Sequence, residues 1–303
     1  MRIRTLAAGL LVGALALTAC GKAGSPTGDA QQGGDGGAAQ SLTYPVAQNV
    51  DVAGSATFTK IKSNGLTIGV KDDQPGLGLK DPTTGKYTGF DVEIAKMIAA
   101  GLGVDESKIT FKTVDSGARE AAIANGDVDY YVGTYTINDK RKQQVSFAGP
   151  YFQAGQDLLV RKDDTSITGP ETLKGKKVCS VTGSTPIQRV RDQGLTEPNN
   201  IVEFQKYSQC VEKLATKEVD ALTTDDAILK GYAAQEPDTL KVVGKTFSQE
   251  PYGIGLNKDD SALRNKIDDL LQAALDDGTW QKIYDATLGK SGSAATKPTI
   301  QRY

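Results

Sequence analysis

Residues 122–134 read AIANGDVDYYVGT, and residues 213–225 read KLATKEVDALTTD. The two align without a gap. In each, a helix-like run meets an acidic turn, then Val-Asp (Val128-Asp129 or Val219-Asp220), then a strand. Such a recurrence within one chain implies two lobes of similar build with a cleft between them. Ligands of open α/β sheets bind beyond the carboxyl ends of the strands. The alignment sets Thr134 and Asp225 at the equivalent strand end, one from each lobe.

Outward from the first copy, LTIGVKD (66–72) reads as a short buried strand. In GFDVEIAKMIAAGLG (89–103), Phe90, Ile94, Met97, Ile98 and Leu102 share one helical face and Gly103 is a stop. KITFKTV (108–114) is a second strand, GAREAAIANG (117–126) a short helix and DVDYYVG (127–133) a third strand. This β-α-β-α-β order marks a layered α/β domain. Around the second copy the order repeats: strand 173–183, helix 184–194, strand 201–207, helix 210–218, strand 219–225. Two extended apolar segments, FQAGQDLLVRKDD (152–164) and TFSQEPYGIGLNKDD (246–260), cross between the lobes as a two-strand hinge. The chain then returns to the first lobe, with helical spacing at Leu263, Ile267, Leu270, Leu271 and Leu275 and again at Trp280, Ile283 and Tyr284. The expected division is lobe 1 over 56–157, lobe 2 over 158–247, a lobe 1 return over 248–289 and a frayed tail over 290–303.

At 38% hydrophobic residues, the 303-residue chain can bury one large core or two medium ones. A net charge of -2 provides no basic field, so no nucleic-acid partner is expected. The absence of histidine excludes His-based triads, histidine-ligated zinc and histidine general bases. No cofactor, metal site or catalytic residue is expected.

The N-terminus reads as a targeting segment. Arg2 and Arg4 precede the apolar run LAAGLLVGALAL (6–17), which is too short for a stable transmembrane anchor. The run ends in LTACG, which resembles the lipobox of bacterial lipoproteins. That resemblance implies a signal peptide over 1–20, cleavage before Cys20, and a lipid on that cysteine that holds the protein on the outer face of the cell membrane. The alternative is an ordinary signal peptide that leaves a stray thiol. Residues 21–55 are rich in Gly, Ala, Gln and Ser and read as a disordered tether. Cys179 and Cys210 remain. An oxidising compartment favours a disulfide between them over two buried thiols.

One further stretch, GTYTINDKR (133–141), places Thr134 and Thr136 two apart and Arg141 after a turn-like Asn138-Asp139. Two hydroxyls and a cation suit one wall of an anion pocket. The alternative is ordinary surface, with Arg141 paired to Asp139.

The arrangement resembles the extracellular solute-binding proteins of polar amino-acid ABC transporters. The phrases GFDVEIAKMIA, GDVDYYVGTYTINDKRKQQVSFAGPYF, LKGKKVCSVTGST, VDALTTDDAIL and DDGTWQKIY carry the resemblance in order, over nearly all of 66–289. GVKDDQPGLG is further similar to the glutamate-binding lipoprotein subgroup of Gram-positive bacteria. The resemblance implies a two-lobed α/β fold of the periplasmic-binding-protein kind, with a ligand cleft between the lobes. It implies a monomer that captures glutamate, with aspartate, glutamine and asparagine as alternatives, and delivers it to the permease subunits of an importer.

Set on this sequence, the family pattern places the ligand α-carboxylate at Thr134, Thr136 and Arg141, whose planar fork suits a carboxylate. TGSTPIQ (182–188) adds Thr182, Gly183, Ser184 and Thr185. Pro186 fits a first helical position with Ser184 or Thr185 as cap, and the free N–H groups there suit an anion. The α-ammonium falls to Asp225, with help from Thr134, and Asp226 is the competitor. Strand alternation lets only one of the two face the cleft. The side-chain carboxylate falls to Lys71, Arg119, Ser116 and Thr182. The alternatives are a solvated Lys71 and an Arg119 paired with Glu120 or Asp115. Pro75, Leu77 and Tyr135 are candidates for the ligand's methylenes. Two other functions fit the same fold: a sensor subunit for a membrane receptor, and a dehydratase-type enzyme, which needs a carboxyl acid/base in the cleft.

Overall fold

The structure is a computed structural model, and residues 42–292 and 296–303 are described. The signal peptide over 1–20, Cys20 and most of the expected tether lie outside the described residues.

Helix α1 (Ala56–Asn64) is capped by Ser55, whose hydroxyl accepts from the Phe58 N–H and donates to Asp260 at 2.7 Å. Strand β1 (Leu66–Val70) leads to a small antiparallel sheet of β2 (Asp73–Gln74), β3 (Gly78–Lys80) and β4 (Tyr87–Thr88), which the sequence reading did not anticipate. Then come α2 (Phe90–Gly101), β5 (Ile109–Thr113), α3 (Arg119–Ala124), β6 (Tyr130–Tyr131), α4 (Asp139–Lys142) and β7 (Ser146–Ala154). After Gly155 follow β8 (Gln156–Arg161), β9 (Val178–Val181), α5 (Thr185–Asp192), β10 (Ile201–Phe204), α6 (Tyr207–Ala215), β11 (Ala221–Asp225), α7 (Asp226–Gln235) and β12 (Leu240–Val242). The chain returns through β13 (Glu250–Leu256), α8 (Ser261–Asp276) and α9 (Thr279–Ala286).

The strands form two five-stranded sheets, ordered β5-β1-β6-β13-β7 and β10-β9-β11-β8-β12. In both, a parallel trio is followed by one strand running the other way, β13 or β8, and then by an edge strand, β7 or β12, that runs with the trio again. The handover between sheets falls at Gly155, two residues before the expected boundary at 157. The second crossing pairs with the first, β13 against β7, so the hinge is a ribbon and not two loose threads.

The repeated segments occupy the same place in the two sheets, at β6 and β11. Asp129 donates its N–H to the Thr67 carbonyl and accepts the Thr67 N–H on its carboxylate, both at 2.8 Å. Asp220 makes the same two bonds to Lys177, again at 2.8 Å. Each Asp thereby locks the third strand of its lobe onto the start of the first. Lobe 1 packs around Phe90, whose ring meets Tyr151, Phe152, Trp280 and Tyr284. Burying that one ring contributes roughly 1.5–3 kcal/mol. Trp280 donates its indole N–H to the Tyr151 carbonyl at 2.8 Å, which fastens α9 to lobe 1.

Two expectations shift. Residues 42–55 are not all tether: Val52 and Ser55 are buried, Ala47 donates its N–H to the Ala100 carbonyl, and Tyr44 bonds Glu93. Nor is the end of the tail frayed, since Gln301 donates to the Gly149 carbonyl at 2.8 Å and Arg302 pairs with Asp269. Apolar and ionic anchors spaced along otherwise polar segments explain both. Cys179 and Cys210 form a disulfide, Cα–Cα 5.7 Å, between β9 and α6. Closing its 31-residue loop contributes roughly 3 to 4 kcal/mol in the chain-entropy account.

Candidate functional site

The ends of β6 and β11 face each other across a nearly closed cavity of about 10 Å³, lined by Ser116, Arg119, Thr134, Arg141, Ser184, Thr185, Pro186, Tyr207 and Asp225. A wider opening of about 400 Å³ shares Ser116, Arg141, Ser184 and Thr185 with it and is lined by Lys140, Gln188 and Arg191 among others. Arg141 lines both spaces, but Arg119 and Asp225 line only the smaller one.

From lobe 1 come two guanidinium groups. Arg119 is 2% exposed and opens α3. It donates to the carbonyls of Ser116 (3.0 Å), Thr134 (3.4 Å) and Gly183 (3.3 Å), and the expected alternative of an ion pair with Glu120 or Asp115 gives way to these. Arg141 is 6% exposed. It donates to the carbonyls of Thr136 (2.7 Å) and Gly183 (3.1 Å) and lies 3.4 Å from Glu120, so the pairing with Asp139 at the surface does not form. Both guanidinium groups stack on Tyr135, at 4.3 and 4.8 Å from its ring centroid. Tyr135 is therefore a platform for the two cations, where a cation over a ring face is attracted by its quadrupole. Burial, and then repulsion from Arg119, lowers the Arg141 pKa to about 10. Two desolvated cations this close favour an arriving anion.

Lys71 is not solvated. It is 2% exposed and donates to the Ser116 hydroxyl at 2.8 Å. Burial, and then Arg119, pushes its ammonium down to about 8. The lysine stands behind the cavity wall and acts on it through Ser116.

Thr134 has left the strand, with φ 46°, and its N–H donates to the Asp91 carboxylate at 3.0 Å. Its hydroxyl meets the Gln74 amide and the residue lines the cavity. Thr136 bridges to Tyr252, and its hydroxyl lies 3.4 Å from that of Thr185.

Lobe 2 supplies the opposite charge. Asp225 is 3% exposed. One carboxylate oxygen accepts from the Tyr252 hydroxyl at 2.7 Å, while Oδ1 is buried without a hydrogen-bond partner among the described residues. Burial, and then the nearby Glu250, raises its pKa to about 8. The competitor Asp226 points away, paired with Lys230 at the start of α7. Ser184, not Thr185, caps α5 through the Ile187 N–H, so Pro186 is the second helical residue rather than the first. Thr185 donates to Glu250 at 2.8 Å. Thr182 is exposed and lines neither opening, and Pro75 and Leu77 also stay off the cavity wall.

Sequence reasoning missed Tyr207, which lines the cavity. It also missed the groups that hold the wall: Asp91 and Gln74 behind Thr134, and Glu250 and Tyr252 behind Thr185 and Asp225. Glu250 and Tyr252 sit in the second crossing, read only as a hinge. The helix starts at Phe90 and Tyr207 were the available signals, since residues there lie at strand-to-helix turns.

The lobes touch. A Cβ on Gly183, which has φ 79°, would come within 2.6 Å of the Gly117 Cα. Farther along, Lys206 pairs with Asp72 at 2.7 Å, the Ser208 N–H donates to Asp73, and Tyr232 donates to the Asp73 carbonyl. The site therefore presents cations on one wall, an acid on the other, and little room between.

Comparison with known proteins bears on what such a site holds. The sequence pattern of the bacterial extracellular solute-binding proteins, family 3, matches residues 66–290. The glutamate-binding protein GluB of Corynebacterium efficiens is 39% identical over 256 residues, covering 81% of this chain and 86% of that protein. The ABC transporter glutamine-binding protein GlnH of Bacillus subtilis is 42% identical over 230 residues, covering 75% of this chain and 83% of that one. Among solved structures, an ancestral arginine-binding protein bound to glutamine is 40% identical with a TM-score of 0.67, covering 73% of this chain and 96% of that one.

Proposed function

The chain belongs to the bacterial extracellular solute-binding proteins of family 3, and on that premise we propose that it captures glutamate and delivers it to an ABC importer. The carrying observation is the opposition of poles across one cavity: Arg119 and Arg141 on one side, the unpartnered Asp225 Oδ1 on the other. An α-amino acid bears both charges on one carbon. Its ammonium satisfies Asp225, which a buried lone carboxylate oxygen otherwise leaves costly. Its α-carboxylate takes Arg141, with the N–H groups at the start of α5 in support. A second carboxylate on the side chain suits Arg119 and the Ser116 hydroxyl, which Lys71 orients from behind.

Binding works by selecting the closed arrangement. A ligand that touches both walls has affinity for the closed form that the open form lacks, and the equilibrium shifts by that difference. No bond is broken, so no base or nucleophile is required. The proposal includes an anchor: Cys20 carries the lipid, and the segment after it leads to residues 42–55 packed on lobe 1.

Calorimetric titration with glutamate, aspartate, glutamine and asparagine tests the ligand. Glutamate should bind most tightly. Tighter glutamine binding would assign Arg119 a neutral partner and reject the acidic ligand, and no heat from any of the four would reject amino-acid capture. Cys20→Ala should release the protein into the medium, and its continued retention on membranes would reject the lipid anchor.

A further inference from the structure

We propose that Tyr303 is a positioning residue for Arg141, acting on the turn that carries it. The inference rests on Arg141 gripping the ligand's carboxylate. Helix α4 spans only Asp139–Lys142, too short to hold its own shape in water. It must be fastened from outside if the guanidinium group of Arg141 is to keep its place in the cavity. On its inner side the fasteners are local: the Arg141 N–H donates to Asn138 Oδ1 at 2.9 Å, and the Val145 N–H donates to the Arg141 carbonyl.

On its outer side the Lys258 ammonium donates to the carbonyl of the capping Gln143, and the aromatic ring of Tyr303 is a second fastener. Lys142, the residue after Arg141, holds its ammonium 4.3 Å from that ring's centroid. Arg264 of α8 stands 4.4 Å from the same ring. The ring thus links a one-turn helix to the 16-residue α8, and its hydroxyl accepts the Phe147 N–H at 2.8 Å just beyond the turn. Tyr303 is half exposed (51%), so core burial does not explain the arrangement. Gln301 to Gly149 and Arg302 to Asp269 bring it there. A cation on a ring face adds a modest attraction at an exposed site, and two on one ring suffice to bias a marginal turn.

The experiment uses the full chain. L-glutamate and L-glutamine are titrated by calorimetry into the parent, Tyr303→Leu and Tyr303→Phe, and into Arg141→Lys with and without Tyr303→Leu. Amide hydrogen exchange at Arg141 and Val145 is followed without ligand. Tyr303→Leu should raise Kd about fivefold and speed exchange at both amides, while Tyr303→Phe, which keeps the ring, should stay within about twofold of the parent. In the Arg141→Lys background Tyr303→Leu should cost nothing more. Lys142→Met, which leaves the tail intact, should reproduce the loss if Tyr303→Leu unfolds. An unchanged Kd or unchanged exchange in Tyr303→Leu overturns the positioning role, as does an equal loss in both Arg141 backgrounds. Parent-like binding by Arg141→Lys instead overturns the ligand grip itself, and the positioning role falls with it.

Discussion

The two copies of the repeated segment behave alike through the start of their strands and part at the end. Gly126 and Lys217, at matching positions, both take left-handed backbone, with φ 70° and 62°. Asp129 and Asp220 make the same paired bonds to the first strand of their lobes. At the last matching position Thr134 turns left-handed and gives its N–H to Asp91, whereas Asp225 stays extended and starts a helix. One scaffold thus presents a hydroxyl beside two arginines from lobe 1 and a carboxylate from lobe 2. The shared backbone sets where the walls stand, and the last residue of each copy helps set what charge they show.

Removing one pole should break the comparison most severely. Arg141→Ala should weaken amino-acid binding by roughly 10²–10³-fold in calorimetry, because it leaves a desolvated carboxylate without its fork of donors. Thermal unfolding without ligand should barely change. Normal affinity in this variant would falsify the placement of the carboxylate.

The opposite pole should cost about as much or slightly less. Asp225→Asn should weaken binding roughly 10²-fold, and it should also change the proton balance. The folded pKa of Asp225, raised to about 8, exceeds the unfolded value. The folded protein therefore holds a proton that the unfolded chain has lost, and this acid lowers stability as pH climbs from the ordinary aspartate range toward about 8. An arriving ammonium favours the carboxylate and expels that proton. At pH 7 binding should release protons, measured as a dependence of heat on buffer ionisation enthalpy. Affinity should rise with pH up to about 8, beyond which Lys71 loses its charge and the trend reverses. Asp225→Asn should abolish the release at pH 7, and an undiminished release would assign it to another group.

Smaller effects sharpen the roles within one wall. Arg119→Ala should raise Kd for glutamate about tenfold more than for glutamine, since a charged partner loses more than a neutral one. Equal losses would remove Arg119 from side-chain recognition. Gly183→Ala should weaken binding about tenfold without touching the ligand, because a Cβ at φ 79° strains the loop and strikes Gly117 when the lobes close. Small-angle scattering should then show the ligand-saturated variant more open than the parent. Identical curves would mean the loop gives way.

Periodicity and the internal repeat made much of the fold legible. The helix over 90–101 and both Val-Asp strand starts follow from local spacing, which any two similar lobes must share. The small sheet of β2, β3 and β4 escaped because its strands are two or three residues long, below what alternation can reveal. The docked ends of the chain escaped because their anchors, such as Tyr44 and Tyr303, are single residues in polar surroundings.

The candidate site divides the same way. That Thr134 and Asp225 hold matching positions at the cleft was available from the sequence, because the repeat is local and position follows from alignment, but only Asp225 ends its strand, and Thr134 lies three residues past β6. That Arg119 and Arg141 share the face of Tyr135, that Lys71 works through Ser116, and that Tyr207 reaches the cavity while Thr182 does not depended on the tertiary structure. Spacing along a chain fixes which residues lie on one element. Which side chains meet across two lobes depends on how the elements pack, and burial then sets the charge that each group carries.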